Sequence, residues 1–152
     1  MNLLPYEYIE LNSDLTSSEV VSRISEILEY KNDLGLSNRR NSTKTYEGLI
    51  TEDGFKVRRI LKFGYNSFIP IAHGKILTNG NKTTIQIKLK LNKIVFYMLI
   101  GFTLFSSFRL YLEPIDLNSI FRFLIPYLFA TIFFNYEAGI IKKDLIKTIL
   151  EK

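Results

Sequence analysis

The chain has no cysteine and no tryptophan, one histidine and four prolines in 152 residues. Without cysteine there is no disulfide, no thiolate nucleophile and no thiolate metal ligand. His73 stands alone, with no carboxylate near it in sequence, so a histidine metal site or a Ser-His-Asp arrangement lacks its parts. A strand histidine that packs or hydrogen-bonds locally is the expectation. There is no Gly-rich phosphate loop and no nucleophile elbow. The paired acids Glu52-Asp53 precede Gly54 and read as a turn. No basic, apolar leader opens the chain, because Met1-Asn-Leu-Leu-Pro5 runs directly into acidic residues, so no signal peptide is expected. The expectation is a non-enzymatic protein with no cofactor and no metal.

Acid is missing from one long stretch. Residues 55–93 carry nine Lys or Arg and no Asp or Glu, whereas residues 1–54 carry five bases and ten acids. Residues 94–152 are nearly balanced, with six and five. An acid-free basic block suits an anionic surface. Lys56, Arg58, Lys62, Lys88, Lys90 and Lys93 are therefore candidate contacts to anionic lipid headgroups. The alternative is internal pairing with the acidic first 54 residues. Nucleic acid is disfavoured by the lack of a recognisable motif or aromatic stacking platform.

Charge is also scarce in two apolar runs, Ile94–Leu112 and Ile120–Tyr136, which hold only Arg109 and Arg122. A spanning helix needs about 20 apolar residues, and these runs have 19 and 17. They read as a transmembrane hairpin over residues 93–136. Arg109 and Arg122 fall at the same mouth, where both guanidinium groups snorkel to one interface, pairing with Glu113 and Asp116. Tyr97, Tyr111, Tyr127 and Tyr136 supply interfacial aromatics, and Pro126 kinks the second run. A buried or re-entrant hairpin is the alternative. Lys88, Lys90, Lys93, Lys142, Lys143 and Lys147 flank the hairpin, while Glu113–Ser119 has no Lys or Arg. Both termini are thus expected in the cytoplasm of a bacterial inner membrane.

Elsewhere the periodicity predicts an α+β unit over residues 1–92. Thr16-Ser-Ser-Glu19 has capping-box spacing and opens a helix over Ser17–Tyr30. Tyr6–Leu11 is a short strand, and Lys31–Thr45 is a polar loop. Four further strands are expected at Tyr46–Thr51, Phe55–Phe63, Phe68–Thr78 and Thr83–Leu91, an antiparallel four- to five-stranded meander. Pro70 should mark an edge or bulge. Ile141, Leu145 and Ile149 stack at four-residue spacing, which predicts an amphipathic helix over residues 137–152.

The stretch Phe55–Ile76 resembles a family of small uncharacterised bacterial membrane proteins. In that family a strand ending in an Asn-Ser-Phe-x-Pro turn precedes a Gly-containing strand. The matching positions here are Asn66, Ser67, Phe68, Pro70 and Gly74. The resemblance implies a small sheet attached to apolar helices, and no activity.

The functional expectation is a binding or accessory module at the inner membrane, an immunity-type protein being one version. A rival reading is an apolar-ligand or lipid-binding protein with a site between sheet and hairpin, lined by Phe55, Phe63, Ile85 and Leu89. A fully packed sheet face would count against it. A third is a subunit or oligomer associating through the hairpin, with Gly101, Ser106, Ser107, Ala130 and Thr131 as close-packing points.

Overall fold

The computed structural model describes residues 3–34, 42–61, 66–79, 82–112 and 117–150, with side chains at all of them except 110–112, 117–120, 122 and 123. The elements are β1 (Tyr6–Ser13), α1 (Ser17–Ile27), β2 (Leu28–Tyr30), β3 (Tyr46–Thr51), β4 (Gly54–Arg59), β5 (Ile71–Asn79), β6 (Lys82–Lys90), α2 (Lys93–Leu112) and α3 (Leu117–Leu150). The fold is α+β. Its strands form one sheet in the order β1-β6-β5-β4-β3-β2.

The meander β3 to β6 is antiparallel throughout. It gains β1 at one edge, antiparallel to β6, and the three-residue β2 at the other, parallel to β3. Six strands replace the four or five expected. The extra one comes out of the predicted helix, which stops at Ile27 because Leu28 is extended and donates its N–H back to Ser25 O. The helix start is as expected. Thr16 Oγ1 accepts from Glu19 N, and Glu19 Oε2 accepts from Thr16 N at 2.8 Å.

Alternation sorts each strand into two faces. Ile85, Ile87 and Leu89 of β6 point to the inner face with Ile9, Ala72, Phe55, Val57 and Tyr46, all buried. Phe55 lies opposite Gly74, and its ring occupies the space a Cβ would need, 2.2 Å away. Gly48 adopts φ +153°, with a hypothetical Cβ only 2.1 Å from Lys56 O. The strand predicted to reach Phe63 ends at Arg59, where the alternation fails and Ile60 N turns to Thr45 O. Pro70 lies just ahead of β5 and interrupts no ladder, so it marks a strand start rather than an edge or bulge.

Two helices cover the inner face. Val20 and Ile24 of α1 and Phe134, Ala138, Ile141, Leu145 and Ile149 of α3 are at most 1% exposed within the same core. Here the expected partition is corrected. The second apolar run and the C-terminal amphipathic helix form one helix of 34 residues, which continues through Pro126. The boundary expected at residue 136 therefore falls inside α3. Among the described residues one helical segment, Leu124–Leu150, is long and apolar enough to cross a membrane. Arg23 reaches across from α1 to donate to Ile149 O at 3.0 Å, satisfying a carbonyl of the last turn of α3.

Candidate functional site

The face of the sheet turned away from α1 and α3 carries the basic residues. Register sets them in rows across the strands. Lys88 of β6, His73 of β5 and Lys56 of β4 are direct neighbours, continued by Tyr8 of β1. One row toward α2, Lys90 lies between Tyr6 and Ile71. One row away from α2, Lys75 sits beside Gln86 and Gly54. Lys75, Lys88, Lys90, Lys93 and His73 are exposed and Lys56 is half-buried. Lys90 Nζ stands over the Tyr6 ring, 5.8 Å from its centre.

Glu10 and Glu47, acids of this face, are engaged by Tyr8 and by Arg58 and Lys31 rather than by its exposed lysines. Ion pairs among the described residues include Lys31–Glu47, Arg58–Glu47, Arg59–Glu137 and Lys142–Glu7. None uses Lys56, Lys75, Lys88, Lys90 or Lys93. The imidazole of His73 is held below its ordinary pKa, first by partial loss of solvent and then by the charges of Lys56, Lys90 and Lys93.

Arg58 leaves the proposed headgroup set. It is 3% exposed, and its guanidinium binds Glu47, itself fully buried. Lys31 Nζ closes the other carboxylate oxygen at 3.1 Å. A carboxylate without water needs that enclosure. Internal pairing therefore accounts for Arg58 and Arg59 but not for the lysines. Lys62 of the headgroup set and Phe63 of the ligand set lie outside the described residues, as does the side chain of Arg122. Arg109 is exposed in the last turn of α2.

The apolar-ligand site between sheet and helices is filled. Phe55, Ile85 and Leu89 are 3%, 0% and 0% exposed, packed in the core with α3. The clefts that do exist lie elsewhere. One of about 390 Å³ is lined by Asn66, Ser67, Phe68, Phe133, Tyr136 and Glu137. There the Asn66 side chain accepts from Phe68 N at 2.9 Å, forming the turn, and Phe68 stacks on Phe133 with ring centres 6.3 Å apart. Glu137 takes two donors from Arg59.

The apolar helices form the second conspicuous surface. Ile94, Tyr97, Met98, Leu104, Phe105 and Phe108 of α2 are exposed, as are Leu124, Leu128, Phe129 and Ile132 of α3. Polar side chains within them turn inward on the backbone. Thr103 Oγ1 donates to Leu99 O and Ser107 Oγ to Thr103 O, both at 2.8 Å. Asn135 donates to Thr131 O at 2.7 Å. Ala130 and Thr131 are buried, while Gly101 faces open space. The Tyr127 hydroxyl donates to Leu3 O at 2.6 Å, tying the start of the chain to α3.

Lys75 was not singled out by sequence, and His73 only as a strand histidine expected to pack or hydrogen-bond locally. Both sit on odd positions of β5, the parity of the outer face, and that signal becomes visible only once β5 is paired with β6. His73 faces outward among lysines instead of packing locally. Among the described residues no group of three His, Asp or Glu is placed to hold a metal. The outer face can attract anions, but it offers no carboxylate to partner His73 in acid–base work. Compared with protein-family models, curated proteins and solved structures, the chain matches none.

Proposed function

We propose that the chain is a non-enzymatic binding module anchored in the bacterial inner membrane by α2 and the N-terminal half of α3. Its α+β body then lies in the cytoplasm. The observation that carries this reading is the exposure of large apolar side chains along both helices. Leaving one Leu or Phe in water instead of burying it costs about 1.5–3 kcal/mol. Ten such residues, roughly half exposed each, leave on the order of 10 kcal/mol of burial unrealised, comparable to the roughly 5–15 kcal/mol that stabilises a whole domain. Hydrocarbon removes that cost. The lengths agree, since the 20 residues of α2 rise about 30 Å, the thickness of a bilayer core. Hydroxyls that donate to their own helix also suit a solvent with no acceptors.

The embedded part of α3 ends near Phe134. Beyond it the helix is covered by the sheet and carries Lys142, Lys143, Asp144 and Lys147, so Leu124–Leu150 does not span as a unit. Lys90 and Lys93 adjoin the point where α2 enters the apolar layer and meet anionic headgroups there, each worth about 1 kcal/mol. The absence of Lys and Arg from residues 113–119 supports a body on the cytoplasmic side. Carbonate extraction of membranes tests the reading. Retention in the pellet is expected, and release to the supernatant overturns it.

A further inference from the structure

In α3, the residues Phe134 to Ile149 keep one stripe against the inner face of the sheet for about 22 Å. A helix that follows a sheet that far has its axis parallel to the sheet plane. The same continuous helix carries the apolar segment ahead of Phe134. On the membrane reading above, the sheet therefore stands upright on the bilayer instead of lying on it. The row containing Lys90 is nearest the headgroups. Lys75 is two rows further out, about 13 Å along the strand. Along the strand, that separates it from the Lys90 row by more than the screening length of about 8–10 Å at physiological salt.

Lys56, His73, Lys75 and Lys88 then face sideways into the cytoplasm with no ion pair among the described residues. We propose that this upright basic face is the docking surface for an acidic protein partner. Charge complementarity selects the occupant: Lys56, Lys75 and Lys88 gather positive charge on three neighbouring strands, which carboxylates complement. A nucleic acid fits less well. The aromatic rings of this face, Tyr6 and Tyr8, lie on the edge strand β1, and Tyr8 donates to Glu10, an acid that repels phosphate. Carboxylates on a protein surface come interspersed with bases that Glu10 can accept.

The proposal rests on the membrane reading, and two measurements on the full chain separate their failures. The chain has no cysteine, so single cysteines carry a fluorophore cleanly. In nanodiscs of phosphatidylglycerol and phosphatidylcholine with a headgroup-attached quencher, Lys93→Cys should be quenched strongly and Lys75→Cys weakly. With a quencher on the acyl chains, Leu104→Cys should be quenched. No quenching at position 104 sinks the membrane reading. Quenching there, with position 75 quenched as strongly as 93, sinks only the docking proposal and assigns the face to lipid. Poly-glutamate is the binding probe. The reconstituted wild type should bind it in a salt-dependent manner. Lys56→Glu with Lys75→Glu and Lys88→Glu should weaken binding at least about tenfold, whereas arginine at all three positions retains it. Equal binding by the glutamate variant, no binding by the wild type, or tighter binding of oligo-dT than of poly-glutamate overturns the proposal.

Discussion

Arg58 and Lys31 hold the Glu47 carboxylate where water does not reach. Breaking a buried pair from one side leaves the other charge without compensation, which costs about 3–5 kcal/mol. Glu47→Ala should lower stability by that amount in denaturant titrations, and Arg58→Ala similarly, while Lys56→Ala on the open face should change it little. Gly74 is sensitive for a different reason. A methyl there meets the Phe55 ring at once, so Gly74→Ala should cost about 1–3 kcal/mol. His73 gives a pH signature. Its pKa is lowered in the folded chain, so the unfolded chain binds the proton more tightly. The stability this contributes is complete above about pH 6.5 and is lost as pH falls through the folded value. Thermal melts of wild type and His73→Gln should diverge below pH 6.5 and coincide above it. Tyr46 titrates in the opposite sense. Burial, then Asp144, raises its phenol, so stability is kept below about pH 10 and lost as pH rises beyond.

Among the elements, α3 combines two environments in one helix. Its C-terminal half offers one stripe to the sheet, so Leu145→Ala removes a fully buried side chain and should cost about 2–5 kcal/mol. Leu128→Ala in the exposed half should cost far less in detergent micelles, as comparative unfolding would show. The stripe Ile141, Leu145 and Ile149 was legible in the sequence because its period is that of a helix. The fusion with the preceding apolar run was not. Tyr136-Glu-Ala-Gly139 looks like a boundary, yet Arg59 neutralises Glu137 and Ala138 seats against the core, so nothing ends the helix there. The failure at β2 is similar. Leu28 continues the helical pattern of α1, but pairing with Tyr46 to Gly48 draws it into an extended conformation. Local preference over three residues is weaker than a partner strand.

For the whole molecule, register and burial divide the basic residues that composition had grouped together. Arg58 and Arg59 are structural, Lys90 and Lys93 lie at the α2 end of the sheet, and Lys56, Lys75 and Lys88 face outward. Topology labelling tests the frame in which that division holds. In cells, a cysteine at Ser119 should react with an impermeant maleimide from outside, and one at Lys75 only after the cytoplasmic side is opened. The reverse pattern would put the body on the other side.

Periodicity and contacts a few residues apart were enough to read the α+β class, the strand alternation, the helix cap at Thr16 and the apolar helices from the chain. The sixth strand, the burial of Glu47 and Arg58, the filling of the expected ligand site around Phe55, Ile85 and Leu89, and the row of Lys56, His73 and Lys88 came with the packing of distant segments. Those depend on which strands pair and in what register. Pairing between distant segments is a property of the packed whole, and no local pattern in the chain encodes it.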